Sequence, residues 1–225
     1  MMNIHPLDNP IWQSLVSRHA HLAIVRGRAA RYPAEIAPFA AVASGDEQSD
    51  EDLRSLVAPG ESLYLLGISP PLKSGWRVQQ FPIAQMICRT QVESRPGPQF
   101  RTLTDADRAA MLHLTGLVFP GYFRRRTVEM GKYIGIYSGE TLAAMAGERM
   151  CPDGYQEISA VCTHPEFTSR GFAARLVAEL CNACLHDGRI PFLHVNRDNE
   201  RAKALYRRLG FVDRGDIQLW ALTRE

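Results

Sequence analysis

The spacing of hydrophobic and polar residues changes along the chain, and each change predicts an element. Behind Pro10, which fits the first turn of a helix, apolar side chains recur at helical spacing from Ile11 to Leu22. Short apolar runs separated by glycine- and proline-rich turns then predict strands at 62–68, 76–81 and 83–88. Residues 1–95 are therefore predicted to form a small α+β domain, which carries no chemical motif that we can name.

A stretch with two prolines and a glycine, residues 94–98, disfavours regular structure and is the predicted linker. After it the pattern predicts a strand, a helix, a hairpin, a strand, a helix, a strand, a helix and a strand. These elements are expected at 100–103, 104–117, 132–150, 156–162, 169–186, 190–195, 199–209 and 216–223. We therefore expect an α/β fold in which a mixed central sheet is flanked by helices over 98–225.

The composition limits the classes of function. With 45% hydrophobic and 22% charged residues, the chain is typical of a globular protein. The 26 basic and 24 acidic residues leave a charge of +2, too little for a nucleic-acid binder that relies on bulk charge. No stretch approaches the roughly 18 apolar residues of a membrane span, and the first residues do not resemble a signal peptide. We expect a cytoplasmic protein without a nucleic-acid or membrane partner.

The cysteines predict free thiols and no metal site. Five cysteines are an odd number, and their positions do not follow a disulfide framework. Cys181 and Cys184 form a C-x-x-C pair, but this pair lies inside a helical pattern and has no second ligand pair nearby.

One strand–turn–helix segment, residues 157–176, suggests an anion site. An apolar strand leads through a turn to Arg170-Gly171-Phe172-Ala173 at the predicted start of a helix. Gly171 permits a tight turn and a close approach by a ligand. The first amides of a helix lack internal partners and suit a phosphate or pyrophosphate, and Arg170 and Arg175 add positive charge. The Walker and dinucleotide-binding glycine patterns are both absent, so the segment serves another anion.

A second segment, residues 192–211, places polar residues on the next predicted helix. Asn199 is suited to cap this helix or to hold a ligand amide. Tyr206, seven residues later, lies near the edge of the apolar stripe. Two interpretations stay open for Tyr206: a core residue, or a phenol that donates a proton to a departing thiolate, since its ordinary pKa is near 10.

Taken together, the two segments resemble the GNAT superfamily of acyl-CoA-dependent N-acyltransferases over about residues 98–225. The family pattern N-x-x-A-x-x-x-Y-x-x-x-G-F is matched in full by Asn199, Ala202, Tyr206, Gly210 and Phe211. The pattern [QR]-x-x-G-x-[GA] is matched at Gly171 and Ala173, but Thr168 stands where Gln or Arg is usual. This difference removes one polar contact with the pyrophosphate.

The resemblance implies acetyl-CoA as the acyl donor and direct transfer without a nucleophilic cysteine. It implies that the pantetheine arm pairs with backbone groups of Val161, Cys162 and Thr163 and contacts Asn199. It implies that Tyr206 protonates the CoA sulfur. The amides that would hold the pyrophosphate belong to Ser169, Arg170, Gly171, Phe172, Ala173 and Ala174.

The resemblance also suggests where the amine loses its proton. Glu157, at the start of the central strand, is the first candidate for the base, and Glu148 on the hairpin is the second. A water chain, or a substrate amine of low pKa, is the alternative that needs no carboxylate. The alternative for either is an ion pair with Arg149 at a solvated strand end. His194 lies in an apolar run, which favours a core histidine over a base.

The sequence therefore predicts an N-acetyltransferase that acts on a primary amine of a small metabolite. Two alternatives stay open: a non-catalytic acyl-CoA-binding or interaction module, and a transferase for protein amines. Asn199 and Tyr206 favour the enzyme. A homodimer is left open, and so is the idea that residues 1–95 are a degenerate copy of the same fold.

Overall fold

Both halves of the sequence contribute to one central sheet in the computed structural model, which describes residues 5–93 and 96–225. The helices of the described residues are α1 (Pro10–Leu15), α2 (Glu47–Ser55), α3 (Arg108–Val118), α4 (Phe172–His186) and α5 (Glu200–Arg208). The strands are β1 (Ile24–Arg26), β2 (Ala29–Arg31), β3 (Ala40–Val42), β4 (Ser62–Leu66), β5 (Trp76–Ile87), β6 (Arg101–Thr102), β7 (Tyr133–Ser138), β8 (Thr141–Glu148), β9 (Tyr155–Thr163), β10 (Ile190–Asn196) and β11 (Val212–Arg224).

The central sheet has eight strands in the order β4-β11-β5-β10-β9-β8-β7-β6. Its β9–β10 pair is parallel and its other neighbouring pairs are antiparallel. The predicted mixed sheet with flanking helices is thus confirmed. Strands β1, β2 and β3 form a separate antiparallel sheet.

Strand β5 belongs to the first half of the sequence but lies between two strands of the second half. It pairs with β10 through residues 83–87 and with β11 along its whole length. Strand β4 pairs with the other edge of β11. The division of the chain into 1–95 and 98–225 stays a prediction, and residues 94 and 95 of the predicted linker lie outside the described residues.

The pattern predicted two strands interrupted at Pro82, whereas the structure has one twelve-residue strand. The ladder between β10 and β5 ends at Ile83, so Pro82 has a neighbouring strand on the β11 side alone. A proline is tolerated at such an edge because no ladder bond from its nitrogen is needed there. The sequence pattern could not reveal this because it does not show where the partner strand stops.

The two faces of the sheet carry different cores, because successive strand residues point to opposite faces. On β5, Ala84 and Met86 pack in the core that contains α4 residues. Ile87 packs in the core that contains α1 residues and the Tyr32 region. The first half of the chain therefore covers the face of the sheet opposite to α4.

Local signals at the helix ends agree with several predictions. Thr104 and Asp107 form the expected capping box ahead of α3. Helix α1 is shorter than predicted, since it ends at Leu15 rather than continuing to Leu22. Among the described residues, no helix is long and apolar enough to cross a membrane.

Candidate active site

Strands β9 and β10 separate near the middle of the sheet. Their parallel pairing covers residues 155–157 and 190–192 and does not continue. Just beyond, the β8–β9 register shifts at a bulge, where Ala160 has a φ of 51°. This left-handed conformation is costly for a residue with a Cβ, and such strain is concentrated at functional sites. Beyond Glu157, β9 keeps a strand partner on its β8 side and has an open edge towards β10.

A cleft of about 760 Å³ adjoins this open edge. It extends over the end of β9, the start of α4 and one face of α5. Every residue predicted to bind the cofactor lines the cleft together with Tyr206: Val161, Cys162, Thr163, Ser169, Arg170, Gly171, Phe172, Ala173, Ala174 and Asn199. Glu157 does not line it. The roles of these residues stay predictions, but their proximity is an observation.

The loop before α4 and the first turn of this helix line one end of the cleft. Gly171 is the N-cap residue of α4 with a φ of 77°, and Ser169 has a φ of 63°. No atom lies within 4 Å of the position that a Cβ on Gly171 would take, so glycine is needed there for its backbone conformation. Because the first amides of α4 have no partners within the helix, this end of the cleft suits an anion.

Three arginines line the cleft, and sequence reasoning identified Arg170 but not the other two. Arg201 and Arg208 lie on α5, seven residues apart and hence on one side of the helix. Among the described residues neither forms an ion pair, whereas Arg197 and Arg207, on the same segment, pair with Asp216 and Asp213. The seven-residue spacing was the available signal in the sequence, but it did not indicate which face of α5 meets the cleft.

Tyr206 belongs to a core and to the cleft at once. Its side chain is 8% exposed, and its ring contacts that of Phe211 at 5.8 Å between centroids. Its hydroxyl has no hydrogen-bond partner among the described residues. Burial raises the pKa of Tyr206 to about 12, and the nearby Cys181 thiol adds to this effect. The phenol therefore keeps its proton at neutral pH, as a proton donor must.

Asn199 caps α5, which confirms one of its two predicted uses. Its Oδ1 accepts a hydrogen bond from the amide of Ala202 at 3.0 Å. The residue also lines the cleft.

Cys162 lines the cleft with a protonated thiol. Burial raises its pKa to about 12, so little thiolate forms at neutral pH. All five cysteines are free and buried. Within 5–93 and 96–225, no group of three or more His, Cys, Asp and Glu side chains is arranged to hold a metal ion.

Glu157 lies buried below the separation of β9 and β10. Its carboxylate accepts two hydrogen bonds from the Arg149 guanidinium, at 2.8 and 2.7 Å, and lies 2.7 Å from His194 Nδ1. The Met150 amide donates to it at 3.2 Å. Burial alone would raise the pKa of Glu157, but the ion pair with Arg149 and the contact with His194 outweigh burial and hold the pKa well below its usual range. The predicted alternative, an ion pair with Arg149, is present, although it is buried rather than solvated.

Glu148 lies outside the cleft as well. Its carboxylate accepts from the Lys132 amide at 3.2 Å and lies 3.9 Å from the Cys184 sulfur. No observation tests whether Glu157 or Glu148 acts as the base, so both assignments stay predictions.

Comparison with known proteins identifies the family. A family model described as FR47-like protein matches residues 133–221. The chain is 34% identical over 120 residues to the N-alpha-acetyltransferase RimI of Mycobacterium tuberculosis, an alignment that spans 49% of this chain and 74% of that protein. It is also 33% identical to a structure assigned to the GNAT family of acetyltransferases from Novosphingobium aromaticivorans, with a TM-score of 0.89, over 98% of this chain and 99% of that one. The chain belongs to the GNAT superfamily.

The GNAT assignment confirms the predicted family and the predicted class of enzyme, an acetyltransferase. A GCN5-related N-acetyltransferase from Kribbella flavida shares the fold, with a TM-score of 0.66 over 98% of this chain and 96% of that one, at 16% identity. GNAT acetyltransferases use acetyl-CoA as the acyl donor.

Proposed function

We propose that this GNAT acetyltransferase transfers the acetyl group of acetyl-CoA directly to the primary amine of a small metabolite within a ternary complex. The observation that carries the proposal is the cleft in which the α4 amides, the open edge of β9 and the Tyr206 hydroxyl meet. These three features match the diphosphate, the pantetheine arm and the thioester sulfur of one ligand.

The amides at the start of α4 would hold the diphosphate, assisted by the charge of Arg170. Arg201 and Arg208, on the same cleft, would meet the remaining negative charge of CoA. The pantetheine arm would lie along the edge of β9 at Val161–Thr163 as an added strand, because this edge has no strand partner on the β10 side. The Thr168 side chain has neither the carboxamide of Gln nor the charge of Arg, and the arginines of α5 would compensate for this departure from the family pattern.

Transfer requires one bond to form and one to break. The neutral amine attacks the thioester carbonyl carbon, a carbon–nitrogen bond forms, and the carbon–sulfur bond breaks as the tetrahedral intermediate collapses. Tyr206 donates its phenolic proton to the departing sulfur, and solvent returns a proton to the phenol. The raised pKa of Tyr206 supports this role, since the hydroxyl stays protonated until it is needed.

We assign the removal of the amine proton to water and a positioning role to Glu157. A carboxylate that already accepts four hydrogen bonds has little capacity left for a further proton. It instead links three neighbouring parts of the sheet: Arg149 after β8, its own strand β9, and His194 on β10. These links lie where β9 and β10 separate, so they fix the geometry of the opening.

The packing of the first half of the chain against the second supports a small molecule as the acetyl acceptor. Residues of the first half pack against the connection between α3 and β7: the Arg126 amide donates to the Glu35 carbonyl at 2.8 Å, and the Thr127 hydroxyl donates to the Ile36 carbonyl at 2.6 Å. We take this packing as favouring a small amine over a peptide chain as the acceptor. A second candidate acceptor, the α-amine of a protein, is favoured by the 34% identity to RimI, whose name states that activity.

Calorimetry with acetyl-CoA tests the donor half of the proposal. We expect micromolar binding, and the absence of both heat and a thermal shift would contradict the assignment of the cleft to acetyl-CoA. A CoA-release assay on a library of amines, run beside peptides with free N-termini, tests the acceptor half. Turnover of small amines over peptides supports the proposal, and the reverse preference supports the second candidate.

A further inference from the structure

A row of buried polar groups crosses the sheet below the point where β9 and β10 separate. From Glu157 on β9 it continues through His194 on β10 to Gln85 on β5, whose Nε2 lies 2.9 Å from His194 Nε2. Gln85 in turn contacts Arg214 on β11, at 2.8 Å, and Arg214 pairs with Asp8 at 2.6 Å. The row thus connects the site to the first half of the chain.

The partners of Gln85 determine which way its amide faces. Arg214 Nη1 is able to donate and not to accept, so the group that faces it is the Gln85 oxygen. The Leu7 carbonyl accepts only, so the group that faces it, at 3.0 Å, is the Gln85 nitrogen. The same nitrogen faces His194, and an amide nitrogen has no lone pair to offer.

His194 Nε2 must therefore accept a hydrogen bond, and its proton must be on Nδ1. The Nδ1–H group then donates to Glu157 Oε1 at 2.7 Å. In this tautomer the His194 ring joins β10 to β9, two residues along β10 from the last ladder pair of Glu157 and Phe192. The charged groups in and beside this row are Glu157, Arg149, Arg214 and Asp8.

We propose that Gln85 is a positioning residue of this enzyme, which selects the Nδ1–H tautomer of His194 and so maintains the contact of β10 with Glu157. The first half of the chain then contributes to the site through Gln85 and through the Leu7 carbonyl that orients it. The tautomer follows from hydrogen-bond geometry. The expected effect on turnover rests on the proposed function, because it requires the opening between β9 and β10 to hold the thioester.

Nitrogen-15 NMR of the histidine rings reports the tautomer directly. In the wild-type protein we expect a proton on His194 Nδ1 and none on Nε2. The variant Gln85→Glu keeps the contact with Arg214 and replaces the donor to His194 by an acceptor. We expect its His194 ring to keep Nδ1–H towards Glu157 and to gain a second proton on Nε2, which then donates to the new carboxylate. The matched control is Gln80→Glu, the same substitution at an exposed position of the same strand, and it is expected to leave the His194 signals unchanged.

Steady-state kinetics separates positioning from folding alone. For Gln85→Glu we expect kcat to fall about tenfold while KM for acetyl-CoA stays within about twofold, since a misplaced reacting group costs rate rather than binding. Gln85→Met, which removes the donor without adding charge, is the second variant in case Gln85→Glu does not fold. We expect it to give a mixture of His194 tautomers and a smaller loss of kcat.

A wild-type ring protonated on Nε2 would overturn the proposal, and so would an Nε2 signal that is unchanged in both Gln85 variants. An unchanged kcat in a variant whose Nε2 signal has changed would overturn the positioning role. The NMR result does not depend on catalysis. Failure of acetyl transfer with every amine would therefore contradict the proposed function while the tautomer could still be read.

Discussion

At the scale of single residues, Tyr206 combines two interpretations that the sequence presented as alternatives. Its ring packs with Phe211 in the core below α4 and α5, while the residue also lines the cleft. A tyrosine suits this position because its ring is apolar and its hydroxyl is polar. Burial of the ring is also what raises the pKa of the phenol, so the structural role and the proposed chemical role depend on the same contacts.

Tyr206→Phe removes the proposed proton donor and keeps the ring. We expect kcat to fall about 10²-fold, within the range that general acid catalysis contributes, with little change in affinity for acetyl-CoA. In the wild type the donor is the neutral phenol, so its contribution is present below its pKa and is lost only as the pH approaches about 12. Tyr155→Phe is the control, because that hydroxyl contacts His5 and lies outside the cleft. An undiminished rate in Tyr206→Phe would exclude Tyr206 as the acid.

Glu157→Gln tests stability and mechanism together. Removal of one partner leaves the Arg149 charge buried without its counter-ion, and we expect a loss of about 3–5 kcal/mol in the free energy of unfolding. In the wild type the depressed pKa means that this stabilisation is present above the ordinary glutamate pKa of about 4.3 and is lost as the pH falls below it. Thermal unfolding at several pH values measures both effects, with Glu148→Gln as the control.

The pH dependence of kcat in Glu157→Gln separates a base from a positioning residue. If Glu157 were the base, the deficit relative to wild type would shrink as rising pH removes the amine proton without help. For a positioning residue we expect the same fractional deficit at every pH. A deficit that vanishes in alkaline solution would return Glu157 to the role of base.

At the scale of elements, local signals predicted most of the second half of the chain. The turn at Gly171 and the cap at Asn199 depend on neighbours in sequence, which is why the loop before α4 and the start of α5 could be predicted. The partners of Glu157 and the place of β5 in the sheet could not be predicted from the sequence. They depend on contacts such as that between Gln85 and His194, which are 109 positions apart. Hydrophobic periodicity contains no information on strand order.

The loop into α4 provides a test of backbone conformation in ligand binding. Ser169 is exposed and adopts a φ of 63°, which a β-branched residue strongly disfavours. We expect Ser169→Val to weaken acetyl-CoA binding about 5- to 30-fold, since about 1–2 kcal/mol is needed to restore the loop and 1.4 kcal/mol is a factor of ten. Ser169→Gly is expected to keep the affinity. Calorimetry measures both variants.

Thr168→Val is the control for this loop, because Thr168 has a φ of −62° and extended backbone that valine adopts readily. If Thr168→Val and Ser169→Val weaken binding equally, the side chains rather than the backbone conformation would determine affinity.

At the scale of the whole molecule, the sheet makes the two halves of the sequence interdependent. Both neighbours of β11 are strands of the first half, β4 and β5. Strand β10 likewise has β5 on one side. The first half also lines the cleft with Gln91, Val92 and Glu93. The described part of the first half, residues 5–93, therefore supplies strands to the central sheet and side chains to its cleft.

Dividing the chain after residue 95 tests this interdependence. We expect residues 96–225 alone to show no cooperative thermal transition and no acetyl-CoA binding, because the thirteen-residue strand β11 would lose every strand partner it has in the described sheet. An unpaired strand exposes backbone groups that promote aggregation. Co-expression of both fragments is the control and is expected to restore a cooperative transition and binding, since every ladder can then form.

A lone fragment 96–225 that melts cooperatively and binds acetyl-CoA would instead establish the predicted domain 98–225 as an independent folding unit. In that case β5 would act as an added strand on a sheet that is already stable.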